Sequence, residues 1–181
     1  MSGRLTSFIY PALFTALTIV LGFVSIPVPI SPVPISGITL GVMLTGSVLQ
    51  AKEAFYSVLT LILLGAVGLP VFSGFVGGIG ILLGPRGGYY FGFLLGAVVI
   101  ALLRPKDSKF STMLLANIVG GILVVYTIAV PWLGFVTEMN LYQALLTGAA
   151  PFIIGDIIKA VIASILALAL NKHLKVMRRD S

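Results

Sequence analysis

Across 181 residues, 59% are hydrophobic and 9% charged, and the mean hydropathy is +1.16, a composition that excludes an ordinary water-soluble domain. Cysteine is absent and histidine occurs once, which excludes disulfides and thiolate chemistry and leaves too few ligands for a multi-histidine metal site. No Gly-x-x-x-x-Gly-Lys-Ser/Thr stretch occurs, so hydrolysis of ATP by a P-loop is excluded, and the formal net charge of +6 is arranged as a topology signal rather than a nucleic-acid surface.

The apolar segments predict an all-α integral membrane protein, one domain over residues 1–181 built as a bundle of six transmembrane helices. Segment one covers residues 5–26. It is too long for a removable signal peptide and lacks a small-residue cleavage site. Its Ala12-Leu-Phe-Thr-Ala16 stretch puts two small residues on one face, which permits close helix contact. Four prolines in residues 26–35 then forbid a helix and favour a stiff, extended loop, its apolar side chains lying on the membrane or capping the bundle. Segments two (37–49) and three (54–69), joined by Gln50-Ala-Lys52-Glu53, are each short of the ~20 residues of a free-standing span, and one hairpin with a polar bend describes them equally well.

Residues 68–89 are dense in glycine and proline yet apolar and aromatic, with Phe72 and Phe75. Flexible connectors are polar; this composition predicts a folded lid lining a pocket, where backbone approaches a ligand at the glycines. Segment four (89–103) leads to Arg104-Pro-Lys106-Asp107-Ser-Lys109, and segment five (110–131) carries Asn117 beside Gly120-Gly121. Trp132 and Tyr142 flank a predicted loop over 132–148 that holds Glu138, in the manner of an interfacial aromatic belt. Segment six (151–170) ends in a basic tail in which His173 reads as a solvated residue.

Charge orients the bundle. Arg4, Lys52, Arg104, Lys106, Lys109, Lys172, Lys175, Arg178 and Arg179 fall on one side of six spans, and Arg86 alone on the other. Nine against one places both termini in the cytoplasm and the proline-rich, glycine-rich and 132–148 loops outside. Segment six carries Asp156 and Lys159 in its outer half, three residues apart and so on one helix face. A charge there costs roughly 2.5–3.5 kcal/mol. The pair either neutralises itself, with Lys159 reaching for the interface, or faces inward as a polar ligand site.

The outer half therefore collects Arg86, Tyr89, Asn117, Asp156 and Lys159 beneath the lid. Asn117 suits either a ligand or a hydrogen bond between helices. Asp156 suits N–H donors, Lys159 and Arg86 a carboxylate or carbonyl, and the aromatic rings a hydrocarbon. A small, mostly apolar solute with an amide-like head and one carboxylate meets all three demands. Ser73 has no histidine to act as its base, and no nucleophile–base pair or metal cluster points to an enzyme. Proton coupling through Asp156, as in a self-sufficient secondary transporter of a small carboxylated solute, stays open at this level.

Three ordered stretches, Gly65-Ala-Val-Gly-Leu-Pro-Val-Phe-Ser-Gly74, Gly84-Pro-Arg-Gly-Gly-Tyr89 and Pro151-Phe-Ile-Ile-Gly-Asp-Ile-Ile-Lys159, resemble the BioY family, as does the proline-rich loop. These are the biotin-specific S components of energy-coupling factor (ECF) vitamin transporters. The resemblance implies a multi-pass protein of the prokaryotic cytoplasmic (inner) membrane that captures biotin from outside and is not itself an enzyme. It implies no cofactor, since ATP is used only by partners: a transmembrane coupling subunit and a pair of cytoplasmic ATPases, with membrane lipid around the bundle and no nucleic acid. It assigns Asp156, Lys159 and Asn117 to the polar head of biotin, Phe72, Ser73, Gly74 and Tyr89 to lining or closing the pocket, and Ala12 and Ala16 to the coupling subunit. The family commonly has threonine at the position of Arg86, so a carboxylate-binding role for that arginine is read from its charge and place alone.

Overall fold

A computed structural model describes residues 3–104 and 109–179, with the side-chain surroundings of 8–104 and 109–172. Lys106 lies outside the described residues, as do the side chains of Arg4, His173, Lys175, Arg178 and Arg179. Helix α1 (Gly3–Phe23) leads into a two-residue antiparallel pair, β1 (Ser25–Ile26) and β2 (Ile35–Ser36), with Ser25 opposite Ser36. Then come α2 (Ile38–Val48), α3 (Ala51–Ala66), the short α4 (Ile79–Leu83) and α5 (Gly87–Leu103). Helix α6 (Phe110–Ile118) runs through a π-helical turn (Val119–Val124) into α7 (Val125–Thr137), and α8 (Leu141–Gly148) and α9 (Ala150–Arg179) complete the chain.

Helix α2 is the axis of the bundle. Every residue from Ile38 to Val48 except Leu40 is buried, as a helix apolar on all faces demands. It packs on α1, α5 and α9. Its 11 residues span about 16 Å, well short of a ~30 Å hydrocarbon core. Between α5 and the π turn the backbones nearly touch: a Cβ on Gly96 would lie 2.5 Å from the Gly120 carbonyl oxygen. Outside, Leu13, Val20, Leu63, Leu115, Phe135, Ile154 and Ile165 are exposed, the inverse of a water-soluble surface. Two helices, Phe110–Thr137 and Ala150–Lys172, are long and apolar enough to cross a membrane.

The expected 132–148 loop is corrected. Helix α7 continues through Pro131 to Thr137, since a proline inside such a helix removes one N–H and neighbouring groups compensate. It stops where Glu138 turns left-handed (φ 57°) and the Met139 N–H closes back on the Gly134 carbonyl at 3.0 Å. Helix α8 starts two residues later at a capping box, in which Asn140 Oδ1 accepts the Gln143 N–H at 2.9 Å and Gln143 Oε1 accepts the Asn140 N–H at 3.3 Å. Trp132 lies inside α7, its indole N–H donating to the Gly84 carbonyl at 3.0 Å.

Candidate ligand-binding site

A cavity of about 520 Å³, open mouth included, lies where β2, α2, α5, α7 and α9 converge. That is within the roughly 300–1,000 Å³ of small-molecule pockets. Its apolar wall is Val33, Pro34, Ile35, Phe93, Val125 and Phe152, with the rings of Tyr89 and Tyr90. Its polar groups are Ser36, Thr39, Ser73, Arg86, Tyr126, Asp156 and Lys159.

Helix α9 supplies the charged pair. Lys159 Nζ donates to Asp156 Oδ1 at 3.0 Å, and the Tyr126 hydroxyl donates to Asp156 Oδ2. The Asp156 side chain is 7% exposed, so the carboxylate depends on these two donors. Tyr89 meets Tyr126 edge to face, centroids 6.5 Å apart, and its hydroxyl bonds the Gly148 carbonyl at the end of α8. Two loops roof the cavity. Arg86 ties them together, Nε donating to the Pro32 carbonyl (3.2 Å) and Nη1 to that of Ser73 (3.4 Å). The hydroxyls of Ser73 and Ser36 meet at 2.9 Å, and the Ser73 N–H donates to the Tyr90 hydroxyl at 3.3 Å.

Of the residues singled out from the sequence, Ser73, Arg86, Tyr89, Asp156 and Lys159 come together on the cavity wall. Phe72, Gly74 and Asn117 do not. Phe72 is fully buried, its ring tilted against that of Tyr90 with centroids 4.2 Å apart and pressed against Gly65, where any Cβ would overlap it. It anchors the glycine-rich loop from beneath. Gly74 supplies backbone shape, with φ at 83°. The next residue, Phe75, is exposed and stacks on Phe23 at the end of α1, centroids 4.2 Å apart. Asn117 sits in the opposite half of the bundle, where Ser47 donates to its Oδ1 and its Nδ2 donates to Ser164, both at 3.0 Å. Its amide is satisfied by helices α2 and α9.

The sequence matches the BioY family over residues 1–176. The chain belongs to the BioY family. It is 43% identical over 160 residues to the biotin transporter BioY of Thermotoga maritima, covering 88% of this chain and 92% of that one. It is 38% identical over 170 residues to the biotin transporter BioY of Rhizobium etli, covering 87% and 89%. The crystal structure of the S component for biotin from an ECF-type ABC transporter superposes with a TM-score of 0.88, at 32% identity and 95% coverage of both chains.

In this BioY-family chain, the polar cavity residues that sequence reasoning passes over all bear hydroxyls: Ser36, Thr39, Tyr90 and Tyr126. Tyr126 shows why. It follows Asn117 by nine residues, about two and a half turns of α-helix, which would leave the two on opposite faces. The π turn between them takes up one extra residue, so both reach α9, Asn117 at Ser164 and Tyr126 at Asp156. The Gly120-Gly121 pair, within that turn, is the local trace of it.

Proposed function

We propose that this chain is the S component of an ECF-type vitamin transporter: a membrane subunit that binds biotin from outside and relies on partner subunits to use ATP. The observation that carries this reading is one cavity with an ion pair on its α9 wall, aromatic side walls and a guanidinium in its roof. Biotin has matching parts: a cyclic urea, a thioether ring with a short hydrocarbon chain, and a carboxylate. Asp156 accepts a ureido N–H and Lys159 donates to the ureido carbonyl. Tyr89, Tyr90, Phe93 and Phe152 bury the ring and chain. Arg86 holds the carboxylate, since two of its five N–H donors bind the roof and three remain. Phe72, Ser73 and Gly74 close the site by shaping the roof, and Asn117 acts on it by holding α2 and α9 in register. Equilibrium binding of labelled biotin to the purified chain tests the reading, and lack of saturable binding would overturn it.

The same reading places the chain in the prokaryotic cytoplasmic membrane with six crossings, α1, α2, α3, α5, α6–α7 and α9, and both termini in the cytoplasm. Lys52, Arg104, Lys109 and Lys172 support it, since they gather at the helix ends away from the cavity. There Arg104 Nη1 bonds the Val48 carbonyl, and Asn171 Nδ2 the Ser47 carbonyl at 3.0 Å.

Two further results are expected. Arg86→Thr should lose much of the wild type's preference for biotin over its carboxyl-amidated analogue, about ten- to hundredfold if a charge-assisted contact of roughly 1.5–3 kcal/mol disappears. Equal discrimination by both proteins would confine Arg86 to tying the roof. For the π turn, deleting the exposed Leu123 should be tolerated, because it leaves a plain α-helix with Tyr126 still facing Asp156. Inserting one alanine there should swing Tyr126 away by about 100° and weaken biotin binding strongly. If insertion and deletion weaken binding equally, the phase of this helix is not what places Tyr126.

A further inference from the structure

Thr39 lies near the start of α2, on the cavity wall, with 9% of its surface exposed. The other buried threonines, Thr15, Thr18 and Thr45, each return their hydroxyl to the carbonyl four residues earlier, at 2.7–2.8 Å. Thr39 has no such recourse. Four residues earlier is Ile35, in β2 and outside the helix, and among the described residues the Thr39 hydroxyl has no hydrogen-bond partner. No side-chain oxygen or nitrogen is sealed from solvent without a partner, so this one opens on the cavity. A ligand that covered this hydroxyl without bonding it would leave it unmet at a cost of about 1–3 kcal/mol, so a polar group on the ligand is favoured there.

The helix register says which end of the cavity it faces. Helices α2 and α9 run parallel: Asn117 bridges Ser47 to Ser164, and Asn171 reaches the Ser47 carbonyl, so the C-terminal end of α2 at Ser47 stands level with residues 164–171. Eight residues back along α2, a rise of about 12 Å, is Thr39. The same rise back along α9 arrives at residues 156–163. Thr39 therefore shares a level with Asp156 and Lys159.

We propose that the Thr39 hydroxyl is a third recognition group for the ureido ring, accepting the N–H that Asp156 does not. This rests on the biotin reading above and deepens it. A cyclic urea presents a carbonyl between two N–H donors. Lys159 serves the carbonyl and Asp156 one N–H, and because the two N–H groups of a cyclic urea point to opposite sides of its carbonyl, one carboxylate does not reach both. The other N–H needs an acceptor on a different element, and on α2 the Thr39 hydroxyl, without a partner among the described residues, stands at that level. A ligand lacking this N–H leaves the hydroxyl unmet, so the group acts on selectivity as well as affinity.

The test uses the purified full chain, competing labelled biotin with biotin, with the two ureido N-methylbiotins and with biotin amide. Thr39→Val keeps the side-chain shape and should weaken biotin about tenfold, whereas Thr39→Ser should stay within about threefold. On wild type, one N-methyl isomer should bind worse than the other, and Thr39→Val should shrink that disadvantage at least about fivefold, the signature of a direct contact in a double-mutant cycle. Thermal stability, and the preference for biotin over its amide, should not change. The proposal is overturned if Thr39→Val binds biotin within twofold of wild type, or if it binds weakly with the isomer preference intact. Wild type that binds no biotin overturns the transport reading and this inference together, and is told apart because the unmutated chain fails.

Discussion

Methionine at Lys159 and asparagine at Asp156 should each weaken biotin binding at least tenfold, about 1.4 kcal/mol. The two groups are 3.0 Å apart, with side chains 16% and 7% exposed, and each is assigned a different atom of the ureido ring. Lys159→Met should also lower the unfolding temperature, because an unpaired charge in a buried site destabilises by roughly 3–5 kcal/mol. That raises the possibility that binding fails only because the fold does. The double variant separates the two effects. Removing both charges relieves the unpaired carboxylate, so stability should recover while binding stays lost. A double variant that recovers binding along with stability would make the pair a structural element of α9.

Tryptophan at Ala12 or Ala16 should abolish assembly with the coupling subunit and leave biotin binding by the isolated chain within about threefold of wild type. Both alanines are exposed on α1, whereas Pro11, Phe14, Thr15 and Thr18 face inward. The Thr15 hydroxyl holds that inner face to α3, its one proton shared between the Pro11 carbonyl of its own helix and the Ser57 carbonyl, each 2.8 Å away. An indole on the outer face therefore disturbs nothing inside, but holds a partner helix several ångströms off. Co-purification with the coupling subunit measures the first effect and equilibrium binding the second. Loss of binding with assembly intact would reverse the assignment.

What could be read in the sequence follows the range of each interaction. Asp156 and Lys159 are three residues apart on one helix, so their pairing is local and legible. Arg86 stood out because it is the lone cation of its side. Asn117 carried the same kind of signal, a polar residue in an apolar helix, yet its partners lie 70 and 47 residues away and no local pattern names them. Phe72 looked like a pocket ring because its neighbours are glycines; the glycine that decides its place is Gly65, one helix turn before the loop begins. Tyr126 was out of reach for another reason: face assignment presumes 3.6 residues per turn, and the π turn breaks that count just before it. The 132–148 segment was readable in part, since Asn140 and Gln143 have the spacing of a capping box, but Pro131 weighed more heavily than it should in a membrane helix.

The roof of the cavity is fastened by few interactions. Arg86 makes two hydrogen bonds across the loops, Ser36 and Ser73 a third, and Phe75 rests on Phe23. Each of these contributes about 1 kcal/mol net, and beneath them the buried Phe72 and the Ser73 N–H bond to the Tyr90 hydroxyl keep the base of the glycine-rich loop in place. The upper part of the roof can therefore lift without the helices separating, as a local opening cheaper than unfolding. A solute enters only while the roof is lifted, so capture is slower than encounter. Once a ligand bridges roof and floor, its own contacts add to the fastening, and escape becomes slower than entry by the full strength of binding.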